Sequence, residues 1–146
     1  MNNLTNNPDD DDRKPAWSPD GTKIAFSRGG NIFIMGDNGS NLVQLTTSSE
    51  RGPSNQGPAW SPDGTRIAYS RSEAGGNRDI NRIFVINADG SGEPTQLTNA
   101  LPQSGLGVDL ELAWSPDGTK IAFSSTPNDP NVRRNRDIFT VDVPLT

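Results

Sequence analysis

Four consecutive carboxylates, Asp9, Asp10, Asp11 and Asp12, form the densest chemistry-bearing stretch of the sequence. Hard cations want several carboxylate oxygens, so the run is a candidate site for calcium or magnesium, or for a basic partner; the plainer alternative is a solvated acidic loop. A second acidic set, Asp20, Asp63 and Asp117, stands in three identical Ser-Pro-Asp-Gly contexts, which marks these residues as turn formers. The segment Asn87-Ala88-Asp89-Gly90-Ser91-Gly92-Glu93 has the composition of a calcium loop without its length or its terminal glutamate spacing, and is expected to be a hairpin turn. Trp17, Trp60 and Trp114 could stack a ligand, but their shared context favours core packing. The chain has no His and no Cys, which excludes disulfides, zinc fingers, a cysteine nucleophile and a Ser-His-Asp triad. With the usual general base missing and no nucleophile–base arrangement visible, no catalytic residue is expected and the chain is read as a non-enzyme.

These residues belong to a stretch that occurs three times. Ala16-Trp17-Ser18-Pro19-Asp20-Gly21-Thr22-Lys23-Ile24-Ala25-Phe26-Ser27 returns from Ala59 to Ser70 and from Ala113 to Ser124, at spacings of 43 and 54 residues. Each copy reads as a β-hairpin. Proline presets the second turn position, aspartate follows, and Gly21, Gly64 or Gly118 supplies the left-handed residue. A helix is excluded by Pro and Gly in the middle of every copy. The flanking strand alternates large residues with alanine, which lets another sheet approach closely on the alanine side.

In chain order, the first copy continues through Arg28-Gly29-Gly30 into a third strand over residues 31–35, a turn, and a fourth strand over 42–46. The second places these strands at 82–86 and 94–98, and the third has a strand at 137–141 after an insertion over 125–136. Hydrophobic content is a lean 30%, yet all nine aromatics occupy repeat-equivalent positions, which argues against disorder. The net charge of -5 lies mostly in the acidic run, leaving no electrostatic footprint for nucleic acid. No apolar run approaches the ~20 residues of a membrane span, and the N-terminus has no apolar core of a signal peptide.

Four antiparallel strands per repeat are the mark of a β-propeller blade. The expected fold is therefore all-β: one module over residues 1–146, with blades at about 15–46, 58–98 and 112–146. The motif Trp-Ser-Pro-Asp-Gly-Thr-(Lys/Arg)-Ile-Ala-(Phe/Tyr)-Ser, with Ile-Phe, Asp-Gly-Ser-Gly and Gln-Leu-Thr after it, resembles the TolB-type WD-like propeller repeat. That resemblance implies a six-bladed ring, a bacterial and often periplasmic or extracytoplasmic setting, and a protein-binding scaffold in which the motif residues are structural. Similar propellers are attached to some serine peptidases, so a fragment of a larger peptidase-type enzyme is the alternative, as is a purely structural half-propeller.

The sequence holds three copies, and three blades of a six-blade geometry leave two apolar end faces. A two-fold homodimer would complete the ring, with a nine-bladed trimer as the other option. The third copy has no Gly or Asn turn after residue 141, whereas Leu4-Thr5 matches Leu45-Thr46 and Leu97-Thr98. Residues 1–5 are therefore expected to close blade three of a second copy as its outer strand, against Ile138 and Phe139; the alternative is a frayed end with Leu145-Thr146 in that place. The long loops share one face, where a protein or peptide is expected to bind. On that face the acidic run of one copy and Arg133, Arg134 and Arg136 of another would meet.

Overall fold

The computed structural model describes residues 1–48, 53–73, 80–99, 111–125 and 137–144. Eleven strands and their turns make up three antiparallel sheets, and the described residues contain no helix. Blade one is β1 (Asp12–Trp17), β2 (Lys23–Arg28), β3 (Asn31–Gly36) and β4 (Val43–Gln44), paired in that order. Blade two repeats it with β5 (Ser54–Trp60), β6 (Arg66–Glu73), β7 (Ile80–Asn87) and β8 (Thr95–Gln96). Blade three has three strands, β9 (Leu112–Trp114), β10 (Lys120–Ser125) and β11 (Asp137–Asp142), with β11 at the sheet edge.

The repeated turn follows from its residues. Ser18 accepts the Gly21 N–H on its carbonyl at 2.9 Å, Gly21 takes φ 71°, and the Ser18 hydroxyl accepts the Lys23 N–H at 2.9 Å. Gly64 and Gly118 take the same φ of 71°. The second hairpin of blade one turns through Gly29 and Gly30, both at positive φ (53° and 73°), a two-residue loop whose twist suits the strands it joins.

Strand alternation sorts the side chains onto two faces of each blade. Ala25, Ile32 and Ile34 of blade one meet Trp60, Ile67, Tyr69, Phe84 and Ile86 of blade two. Ala68, Ile83 and Val85 on the far side of blade two meet Ile121, Phe123 and Val143 of blade three. Within each blade the aromatic pair on the middle strands stacks, at 5.9, 5.8 and 5.9 Å for Phe26–Phe33, Tyr69–Phe84 and Phe123–Phe139. Tyr69 stands where the other blades carry Phe, and its buried hydroxyl has no hydrogen-bond partner among the described residues, a local cost that phenylalanine avoids.

The structure departs from the sequence reading in four places. The inner strands begin earlier than expected, at Asp12 and Ser54, because a bulge interrupts the pairing between Arg13 and Ala16 and between Gln56 and Ala59. Lys14 and Gly57 absorb it at φ 54° and 63°, so the strand resumes on the far side of the proline. The outer strands are two residues long instead of five. Beyond them a threonine hydroxyl takes over from the backbone: Ile32 N–H donates to Thr46 Oγ1 at 2.9 Å, and Ile83 N–H to Thr98 Oγ1 at 2.9 Å.

The third departure is at the N-terminus. Residues 1–5 contain no strand, blade three has three strands among the described residues, and Leu145-Thr146 lie outside the described residues. Leu4 nevertheless packs on Ile24, Phe26, Phe33 and Met35, the face of blade one that points away from blade two. The fourth follows from it: that face is not bare, because Leu4 and the Arg28 guanidinium, 5.2 Å from Phe26 and 5.5 Å from Phe33, cover it.

Candidate functional site

The start of β1, the β2–β3 turn and the start of β5 share one end of the blades, as expected for the long-loop face. The Gly30 carbonyl ties the last two together, accepting the backbone N–H of Asn55 at 2.9 Å, its Nδ2 at 3.2 Å and the Ser48 hydroxyl at 3.0 Å. Beside this knot lies a polar cavity of about 570 Å³, bordered by Asp9, Asp10, Asp11, Arg28 and Asn55.

The four carboxylates of the acidic run separate. Asp12 is a strand residue, largely buried, whose two oxygens accept from Arg28 Nε at 2.6 Å and Nη2 at 2.8 Å. That contact holds its carboxyl below the usual range and raises the guanidinium in return. Asn55 is the equivalent residue of blade two and accepts from Arg71 Nε at 3.0 Å. Asp11 pairs with exposed Arg13 at 2.6 Å, and Asp10 accepts from Asn7 Nδ2 at 3.4 Å. Pulled onto separate partners, these carboxylates do not converge, and no metal-ligating cluster is found among the described residues. Arg133, Arg134 and Arg136 lie outside the described residues.

Asp20, Asp63 and Asp117 are turn residues. In each turn the carboxylate accepts the preceding serine hydroxyl at 2.6 Å and the N–H of the following threonine at 3.0–3.1 Å. The serine hydroxyl bond is the main reason all three carboxyls are shifted down, Asp63 and Asp117 to about 2. A carboxylate with a folded-state value below the ordinary 3.8 stabilises the fold once it is ionised, and that contribution is lost as pH falls toward the folded value. We expect the urea midpoint to hold above pH 4 and to fall between about pH 4 and 2, and Asp63→Asn to flatten that fall.

The Asn87 segment is a hairpin turn, with Gly90 N–H donating to the Asn87 carbonyl at 3.0 Å and Ser91 N–H to Asp89 Oδ1 at 2.8 Å. A second concavity of about 560 Å³, bordered by Lys23, Met35, Asp37 and Asp89, lies at this opposite end.

The tryptophans link the blades. Trp60 Nε1–H donates to the Ala16 carbonyl, and Trp114 Nε1–H to the Ala59 carbonyl, both at 3.0 Å. Trp17, first in the series, is 59% exposed while Trp60 is 9% exposed. At the other end, Ile138 is 75% exposed, whereas its counterparts Ile32 and Ile83 are fully buried. Phe139 is also exposed, and Thr5 stays beside Asp12. Arg28 and Asn55 were missed by motif reading. Their signal was an arginine directly after the Ile-Ala-(Phe/Tyr)-Ser strand, at 28 and 71.

Residues 15–132 match the family described as the TolB beta propeller domain. Among curated proteins no match is found. Solved structures that share the fold include the following three. A TolB-like protein of Agrobacterium tumefaciens aligns with a TM-score of 0.67 at 23% identity, over 95% of this chain and 47% of that one. An oligogalacturonate lyase of Vibrio parahaemolyticus aligns at 0.60 and 19%, over 88% and 33%. Dipeptidyl peptidase 4 of Porphyromonas gingivalis aligns at 0.61 and 20%, over 84% and 23%. The chain thus spans less than half the length of each of these structures.

Proposed function

This chain belongs to the TolB β-propeller family, and from that premise we propose that it is a non-catalytic scaffold, completed to a six-bladed ring by a second copy, which binds a protein or peptide on its long-loop face. The observation that carries ring completion is the place of Leu4. A Cβ on Gly39 would meet the Leu4 carbonyl at 2.7 Å, and a Cβ on Gly90 would lie 3.7 Å from Leu45 Cδ2. Leu4 therefore sits against blade one as Leu45, from the outer segment of blade one, sits against blade two. It occupies the place of an outer segment from a preceding blade.

The binding face is assigned from the scaffold. A concavity lies at each end, but the opposite end is made of tight turns whose polar groups serve each other, while the long-loop end sets Asp9, Asp10 and Asp11 beside its cavity. A chain without His or Cys lacks the usual acid–base and thiol chemistry, which supports a binding role. The second reading, a propeller portion of a larger enzyme, is favoured by the fold likeness to a lyase and a peptidase that are each about three times longer or more.

Light scattering behind size exclusion tests the assembly. A mass of about 31 kDa, twice the chain's 15.7 kDa, is expected for the two-fold ring. A concentration-independent 15.7 kDa would refute it.

A further inference from the structure

We infer that the two end faces of the chain are the two halves of one further blade junction, and that a second copy of this chain fills it head to tail. The inference deepens the ring-completion reading above and rests on it. Inside the chain the junction occurs twice with the same parts. A tryptophan indole donates to the alanine carbonyl of the blade before it, Trp60 to Ala16 and Trp114 to Ala59. A proline rests on the turn glycine of the next blade: a Cβ on Gly64 would lie 3.7 Å from Pro19 Cδ, and one on Gly118 would lie 3.8 Å from Pro62 Cδ. The alanine and isoleucine face of one blade closes over the aromatic face of the next.

Each of these parts has one half left at each end. On blade one, Trp17 is exposed and Gly21 has nothing among the described residues within 4 Å of its Cβ position. On blade three, Ala113 and Ile138 are exposed. Among the described residues β11 has no outer strand, and its place corresponds to the N-terminal segment that holds Leu4 against blade one. A second copy would place its Ala113 carbonyl before the Trp17 indole, its Pro116 on Gly21 and its Ile138 beside Leu4 on the Phe26–Phe33 face, as Ile32 and Leu45 share the Tyr69–Phe84 face. Apart from Thr140, which stands where the inner junctions have Ile34 and Val85, the residue types are those that already meet twice within the chain, so the occupant is chemically the chain itself. Two such junctions close a two-fold ring in which the N-terminal face of each copy meets the C-terminal face of the other.

Two variants at exposed positions separate this arrangement from a symmetric face-to-face dimer. Trp17→Lys spoils only the N-terminal face and Ile138→Glu only the C-terminal face. In the head-to-tail ring either substitution alone damages both junctions and is expected to weaken dimerisation by about thirtyfold or more per junction, giving a mass near that of the monomer. An equimolar mixture keeps one wild-type junction and sets lysine against glutamate in the other, so its mass is expected to return to twice the monomer. Circular dichroism of each variant checks that the blades stay folded. An Ile138→Glu or Trp17→Lys chain that still dimerises alone, or a mixture that stays monomeric, overturns the head-to-tail junction while the wild-type dimer stands. A wild-type monomer overturns the ring reading itself, and a wild-type trimer overturns the two-fold ring.

Discussion

Trp60→Ala is expected to lower the unfolding free energy by about 3–5 kcal/mol, whereas Trp17→Ala, at the same place in the repeat, should cost under about 1 kcal/mol in chains diluted to monomer. The difference is one of neighbours. Trp60 is buried between blades one and two among Ala25, Ile32, Ile67 and Tyr69, and its indole N–H satisfies the Ala16 carbonyl. Truncation removes the contact area, opens a cavity and leaves that carbonyl without its donor. Trp17 has the same motif around it but no blade in front of it. Urea unfolding followed by far-UV circular dichroism at low protein concentration checks both. Equal losses at the two positions would mean that the monomer buries Trp17 by some other arrangement.

Arg28→Ala should cost about 2–3 kcal/mol, measured in the same way. The guanidinium makes two short bonds to Asp12 and lies over Phe26 and Phe33, on the face of blade one that no other blade covers. Removing it strands a largely buried carboxylate and uncovers two rings at once. Asp12→Asn is expected to cost less, about 1 kcal/mol, because an amide oxygen can still accept from the guanidinium. Blade two uses that pairing already, in Asn55 and Arg71. If Asp12→Asn proved as damaging as Arg28→Ala, the charge on Asp12 and not the cover over the rings would be the main contribution.

The hairpins were legible because their turns are written in residues with few conformational options: Pro19, Asp20 and Gly21 admit one tight turn, and three copies of it fix the blade. The break in the repeat at blade three was also readable, since no turn residue follows Val141 where the other two copies have Asn38-Gly39 and Asp89-Gly90. The full extent of the inner strands was not. Lys14 and Gly57 are different residues with the same left-handed backbone, and the bulge they make breaks the alternation by which a strand is recognised. Asp12 was misplaced for a related reason. Three neighbouring aspartates hid the fact that it stands at the register position of Asn55, so a structural residue was grouped with a loop. The outer strands were overestimated because Leu45-Thr46 looks like extended chain, while the threonine hydroxyl has replaced the backbone acceptor.

The bulges have a consequence for how these molecules meet when concentrated. Exposed sheet edges are templates on which further chains polymerise as strands. The inner strands β1 and β5 are kinked and carry Pro15 and Pro58, and the outer strands β4 and β8 are two residues long, so none of them offers a good template. The edge of β11 is different: six residues of regular strand with Ile138 in the open. Precipitation or fibre growth of the isolated chain should therefore begin at β11, and a peptide copied from residues 1–5 should act there as a chain stopper.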